Sequence, residues 1–111
     1  MIEYSFAQRV EQTLETLLER ISEHDVLTDL DADLIDGVLR VDFDNGAVLI
    51  INRQESVQQL WVASPEGPAH FTFDQQLDKW VNSRTGESLA ECLSRIFSQQ
   101  LDEVITIVGP L

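Results

Sequence analysis

The chain has 111 residues, 43% of them hydrophobic, and twenty acidic side chains against seven Lys and Arg give a formal net charge of −13. This length supports one domain, residues 1–111, with a real core and no need of metal or disulfide staples, and the hydrophobic content argues against disorder. The charge disfavours nucleic acid and anionic membrane as partners, and the single Cys92 excludes an internal disulfide or a cysteine metal cluster and suits a reducing compartment.

The negative charge is uneven. Residues 1–44 hold twelve acids and three basic residues, and the remaining 67 hold eight and four. No apolar run approaches the ~20 residues that span a bilayer, and no leader pattern opens the chain. A bacterial-type cytoplasm is the expected home.

Ser5 followed by Gln8 forms a capping box that opens a first helix. At about 100° per residue, Phe6, Val10, Leu14, Leu17 and Ile21 share one face, with Leu18 at its margin. Nearly opposite run Glu11, Glu15, Glu19 and Glu23, each four residues from the last. Like charges at that spacing destabilise a helix by ~0.2–0.5 kcal/mol per pair, and Arg20, one position off the stripe, relieves this only in part.

Next comes "DLDADLIDG", Asp29 to Gly37. Counted from Asp29 as a calcium loop, it matches acids at the first, third and fifth positions. The sixth, where a Gly should make the turn, is Leu34, and the twelfth, where a Glu should chelate, is Arg40. The loop reading fails. Leu30, Ala32 and Leu34 instead alternate with Asp29, Asp31 and Asp33, which predicts a strand with its acids facing water, although Asp is a poor strand former. Asp36-Gly37 is a tight-turn signal, and a second strand follows with Leu39, Val41 and Phe43 on one side.

"DNG", Asp44 to Gly46, signals another hairpin into the apolar run "AVLIIN". "RQES" reads as a polar connection. In "VQQLWVA", Leu60 and Val62 point one way and Gln59, Trp61 and Ala63 the other. Pro65, Gly67 and Pro68 read as a loop, "AHFTF" as a strand with Phe71 and Phe73 alike in direction, and "KWVN" as a last strand. Ser88 with Glu91 caps a second helix whose apolar face is Leu89, Cys92, Leu93, Ile96 and Phe97. The tail "VITIVGPL" should pack along a core margin. Strands grouped between terminal helices predict an α+β two-layer sandwich, with both helices on one face of an antiparallel sheet of five to six strands.

The crowded acids suit hard, oxygen-loving cations such as iron, manganese, calcium or magnesium, and equally a strongly basic protein surface. A solvated face is their plain alternative. Trp61 is either half-buried packing or, on the open sheet face, an anchor for a protein partner with Gln59 and Asn52 nearby. His24 and His70 read as solvated and structural, and Cys92 as a small hydrophobe. No Ser-His-Asp set, phosphate loop, HExxH or CxxC is present, so enzymatic catalysis has no positive support in the sequence.

"FDNGAVLIINRQESVQQLWVAS", Phe43 to Ser64, with "FTFD" and "KWVNSRTGESL" after it, resembles the sheet of the frataxin family in its bacterial branch. The resemblance extends over nearly the whole chain, the acidic helix and strand included. It implies a helix-sheet-helix protein without a prosthetic group that holds ferrous and ferric iron weakly on an acidic ridge. It also implies docking to the cysteine desulfurase and scaffold protein of iron–sulfur cluster assembly, as an iron-responsive regulator or iron donor. By position the ridge would be Glu19, Glu23, Asp25, Asp29, Asp31 and Asp33, and the partner-binding residues Asn52, Gln59 and Trp61. A monomer is expected, with metal-dependent assembly open. The chain departs from the family pattern at Leu18 and Ser22, where acid pairs lose one member, at Leu27 within the acidic link, and at Ser56, where the family has Pro. A weak ferroxidase and an acidic interaction module without a metal role are the competing readings.

Overall fold

The structure is a computed structural model and describes residues 4–107 and 111. In chain order it runs α1 (Phe6–Glu23), a 3-10 turn (Leu27–Asp29), β1 (Asp31–Ile35), β2 (Val38–Asp42), β3 (Val48–Gln54), β4 (Gln59–Ser64), β5 (Gly67–Asp74), β6 (Lys79–Asn82) and α2 (Leu89–Leu101). All six strands form one antiparallel sheet in sequence order, so β1 and β6 are its edges. Leu39, Val41, Leu49, Ile51, Leu60, Val62, Phe71 and Trp80 project from one face of the sheet into a core shared with both helices. The predicted α+β sandwich is the observed one, with six strands.

The helix ends follow the expected local chemistry. The Ser5 hydroxyl accepts from the Gln8 N–H, and the Gln8 side chain accepts from the Ser5 N–H. Ser88 and Glu91 repeat the arrangement in α2, where the Ser88 hydroxyl and N–H hold the Glu91 carboxyl below the usual range. Asp36 and Gly37 both take positive φ, 52° and 76°, and join Ile35 to its partner Val38 in the two-residue turn that matches strand twist.

Three details differ from the sequence reading. Asp29 lies in the 3-10 turn, so the alternation of β1 begins at Asp31. Arg53 and Gln54, read as connection, continue β3 and pair with Leu60 and Gln59. Gly67 and Pro68, read as loop, open β5 opposite Ser64 and Ala63, leaving only Pro65 and Glu66 between the strands. The proline is tolerated because the pairing with β6 reaches back only to Phe71, so among the described residues Pro68 has no strand partner on its other side.

The tail packs as expected at Ile105 and Ile107, which are buried. Ser98 Oγ accepts from the Ile105 N–H at 2.8 Å, and Ser94 Oγ from the Ile107 N–H at 2.8 Å. Residues 108–110 of the predicted tail lie outside the described residues. Leu111 is buried, and its carbonyl oxygen accepts from the Trp80 N–H at 3.0 Å.

Arg95 ties α2 to the β4–β5 turn through a two-point contact with Glu66 (3.0 and 2.8 Å) and a further pair with Glu87. Beneath it Cys92 is buried, and desolvation pushes its thiol up from 9.0 to about 11. Between those values the unfolded chain loses the thiol proton while the folded chain keeps it, so stability should fall as pH rises through the window. The thiol contribution is on the order of 2–3 kcal/mol. Urea midpoints measured at pH 8.5 and pH 11 should therefore drop further for the wild type than for Cys92→Ala; equal drops would show that the thiol is not held neutral.

Candidate functional site

The acidic end is assembled from α1, the turn after it and β1. Glu11, Glu15, Glu19 and Glu23 are all exposed along α1. The helix has no acid in its first turn, and its last turn, which carries Arg20, ends on Glu23. Helix C-termini carry partial negative charge, which makes this the unfavourable end for a carboxylate by ~0.3–1 kcal/mol. Charge spacing and dipole both argue against the pattern, yet the sequence has it.

His24 caps α1, and its Nδ1 accepts from the N–H groups of Val26 at 3.1 Å and Leu27 at 3.4 Å. The turn buries Leu27 and Leu30 and leaves Asp25 and Asp29 exposed. In β1, Asp31 and Asp33 are exposed, whereas Ala32 and Leu34 pack against the core. All six ridge residues, Glu19, Glu23, Asp25, Asp29, Asp31 and Asp33, are thus on the surface. With Nδ1 accepting in the cap, the neutral ring carries its proton on Nε2 and offers no free lone pair to a cation.

The cations of Arg40, Arg53 and Arg95 are paired with Asp42, Glu55, Glu66 and Glu87, none of them on the ridge. Arg40 stands opposite Asp33 in the register, but its guanidinium grips Asp42 with two bonds of 3.0 Å. Hydrogen bonding to Arg40 holds the Asp42 carboxyl below the usual range. Among the described residues, no three His, Cys, Asp or Glu side chains converge into a ready metal cage. A hard cation held by one or two exposed carboxylates keeps much of its water and is bound weakly and with little selectivity.

The second surface is the open face of the sheet. Asn52, Trp61 and His70 lie side by side across β3, β4 and β5. Trp61 is half-buried, with its indole stacked on the His70 ring at 4.2 Å between centroids and 13° between planes. Its Nε1–H donates to Gln59 Oε1 at 2.9 Å, and Gln59 Nε2 donates to Thr72 Oγ1 at 3.4 Å. The three predicted partner-binding residues do meet on one face. His70, read from the sequence as structural, joins them, and so do Ile35 and Val38, 65% and 37% exposed in the adjoining hairpin. The period-two count would have placed Val38 outward, but the pairing of His70 with Trp61 depends on the length of the β4–β5 turn.

A frataxin-like domain family model matches residues 1–103. The chain is 56% identical over 107 residues to an iron–sulfur cluster assembly protein CyaY of Thioalkalivibrio sulfidiphilus, covering 96% of this chain and all of the relative. A protein of the same description from Pseudomonas fluorescens is 38% identical over 109 residues, covering 98% and 97%. Among solved structures, frataxin from Psychromonas ingrahamii superposes with a TM-score of 0.83 at 30% identity, covering 94% of this chain and 95% of that one. Trimeric frataxin from the yeast Saccharomyces cerevisiae, complexed with ferrous iron, gives 0.69 at 26% identity, covering 93% and 91%.

Proposed function

The chain belongs to the frataxin-like family, and we propose from that premise that it binds iron weakly on its acidic ridge and regulates or supplies iron–sulfur cluster assembly. In this reading Glu19, Glu23, Asp25, Asp29, Asp31 and Asp33 meet ferrous or ferric iron as cargo and also face the basic surface of the cysteine desulfurase. Asn52, Gln59 and Trp61 contact the scaffold protein. The relatives named for iron–sulfur cluster assembly and the yeast frataxin complexed with ferrous iron support it. The single observation that carries it is the placement of acids on α1 against both its own charge spacing and its dipole, continued into β1.

A second reading has one observation in its favour. β1 is an edge strand, and charged side chains on an edge block pairing with another chain. That would explain Asp31 and Asp33, but not the stripe on α1, which has no open ladder to protect. A ferroxidase would call for buried carboxylates oriented on one another, and these six are exposed.

The combined variant Glu19→Gln, Glu23→Gln, Asp29→Asn and Asp31→Asn tests the reading. Its affinity for desulfurase at low salt should fall at least about tenfold, as expected when several steering charges are removed together. Heats of ferrous iron binding should diminish in parallel. Unchanged desulfurase affinity would refute the docking role, and unchanged iron binding would refute the cargo role.

A further inference from the structure

We propose that His70 is a positioning residue, which with the Gln59–Thr72 pair holds the Trp61 indole in the one orientation that the scaffold protein meets. The inference rests on the scaffold reading above and goes beyond it, because it concerns how the ring is presented and which part of it is left to a partner.

The indole is restrained from two directions, by His70 on the neighbouring strand β5 and by Gln59 on its own strand β4. His70 covers one ring face, 4.2 Å between centroids and nearly parallel at 13°. The ring edge is fixed by the Nε1–H bond to Gln59 at 2.9 Å, and Gln59 in turn donates to Thr72. His70 and Thr72 are two residues apart in β5 and so project to the same side of the sheet. β5 thus supplies the cover for the ring face and, through Thr72, a hold on the glutamine that fixes its edge.

Two consequences follow for recognition. The only hydrogen-bond donor of the indole is already satisfied, so a partner has no call to offer it an acceptor. The uncovered ring surface remains, and it suits an apolar side chain, or a guanidinium laid flat on the π face. Holding the ring in advance also removes the ordering cost that a free side chain would incur at the moment of binding.

The test uses the full chain with purified iron–sulfur scaffold protein as the probe. His70→Ala should weaken scaffold binding about two- to tenfold, the range expected when one large side chain must be ordered on binding. His70→Phe, which preserves a flat ring against the indole, should restore most of it. In the unbound protein, ¹⁵N relaxation of the Trp61 indole N–H, assigned by its absence in Trp61→Ala, should show faster local motion in His70→Ala. In the Trp61→Ala background, removing His70 should have no further effect.

An indole as rigid in His70→Ala as in the wild type would overturn the proposal. So would a further loss of affinity in the double variant, since His70 would then touch the partner itself. Undiminished scaffold binding by Trp61→Ala would refute the scaffold reading instead, leaving relaxation to judge whether His70 restrains the ring.

Discussion

Trp80→Ala is expected to remove about 3–5 kcal/mol of stability, the usual loss when a large buried aromatic is truncated. Against the 5–15 kcal/mol that holds a typical domain together, this brings the chain close to unfolding. Trp80 is fully buried, and Phe6 and Phe73 meet its ring edge-on at centroid distances of 6.2 and 5.4 Å. Its Nε1–H donates to Thr13 Oγ1 at 2.9 Å, which links β6 to α1 across the core. The Thr13 hydroxyl itself donates to the Arg9 carbonyl, so the indole satisfies the second capacity of an atom already in use. A shift in the urea midpoint corresponding to less than about 1 kcal/mol would mean that the neighbouring rings collapse into the space.

The other tryptophan should behave in the opposite way. Trp61→Ala is expected to weaken scaffold binding by at least about thirtyfold, a loss of 2 kcal/mol or more at a central aromatic anchor. The fold should lose no more than the stacking with His70, about 0.5–1.5 kcal/mol, because the side chain stands on the open face and is only partly buried. Calorimetric titration with the scaffold and a thermal melt on the same preparation separate the two effects. Binding intact with a melting temperature sharply lowered would make Trp61 a packing residue and remove the open face from the functional reading.

That the two tryptophans differ is partly legible in the sequence. In "QLWVA", Leu60 and Val62 fix the buried side, and period two then puts Trp61 opposite them. Trp80 gave no such signal, because "KWVN" is too short to show alternation. Cap chemistry was legible for the same reason that it works: Ser5 with Gln8 and Ser88 with Glu91 satisfy each other three residues apart, with no help from the rest of the fold.

Asp29 reads as strand in the sequence because its alternation with Leu30 continues that of β1. What delays the start of the strand is the 3-10 turn before it, next to which His24 Nδ1 accepts from the N–H groups of Val26 and Leu27. The outward placement of the six ridge acids survives that correction. Their nearness in space to any cation does not follow from sequence spacing, since it depends on how the end of α1 lies against the edge of the sheet. His70 was opaque for a related reason: its partner lies nine residues back, and only the two-residue turn at Pro65 and Glu66 sets them opposite.

On the proposed function, negative charge at the end of α1 and on β1 is kept at a cost to folding so that a positive partner can meet it there. The melting temperature of the Glu19→Gln, Glu23→Gln, Asp29→Asn and Asp31→Asn variant at low ionic strength tests this most directly. Relief of one or more like-charge pairs, at ~0.2–0.5 kcal/mol each, and of the unfavourable charge at the helix end should together amount to about 1 kcal/mol. In a domain of this size that is a rise of roughly 4–8 °C, and the gain should shrink as salt screens the wild-type repulsion. A variant that melts lower than the wild type would show these carboxylates holding the fold together, and the case for a surface reserved for iron and a basic partner would fall.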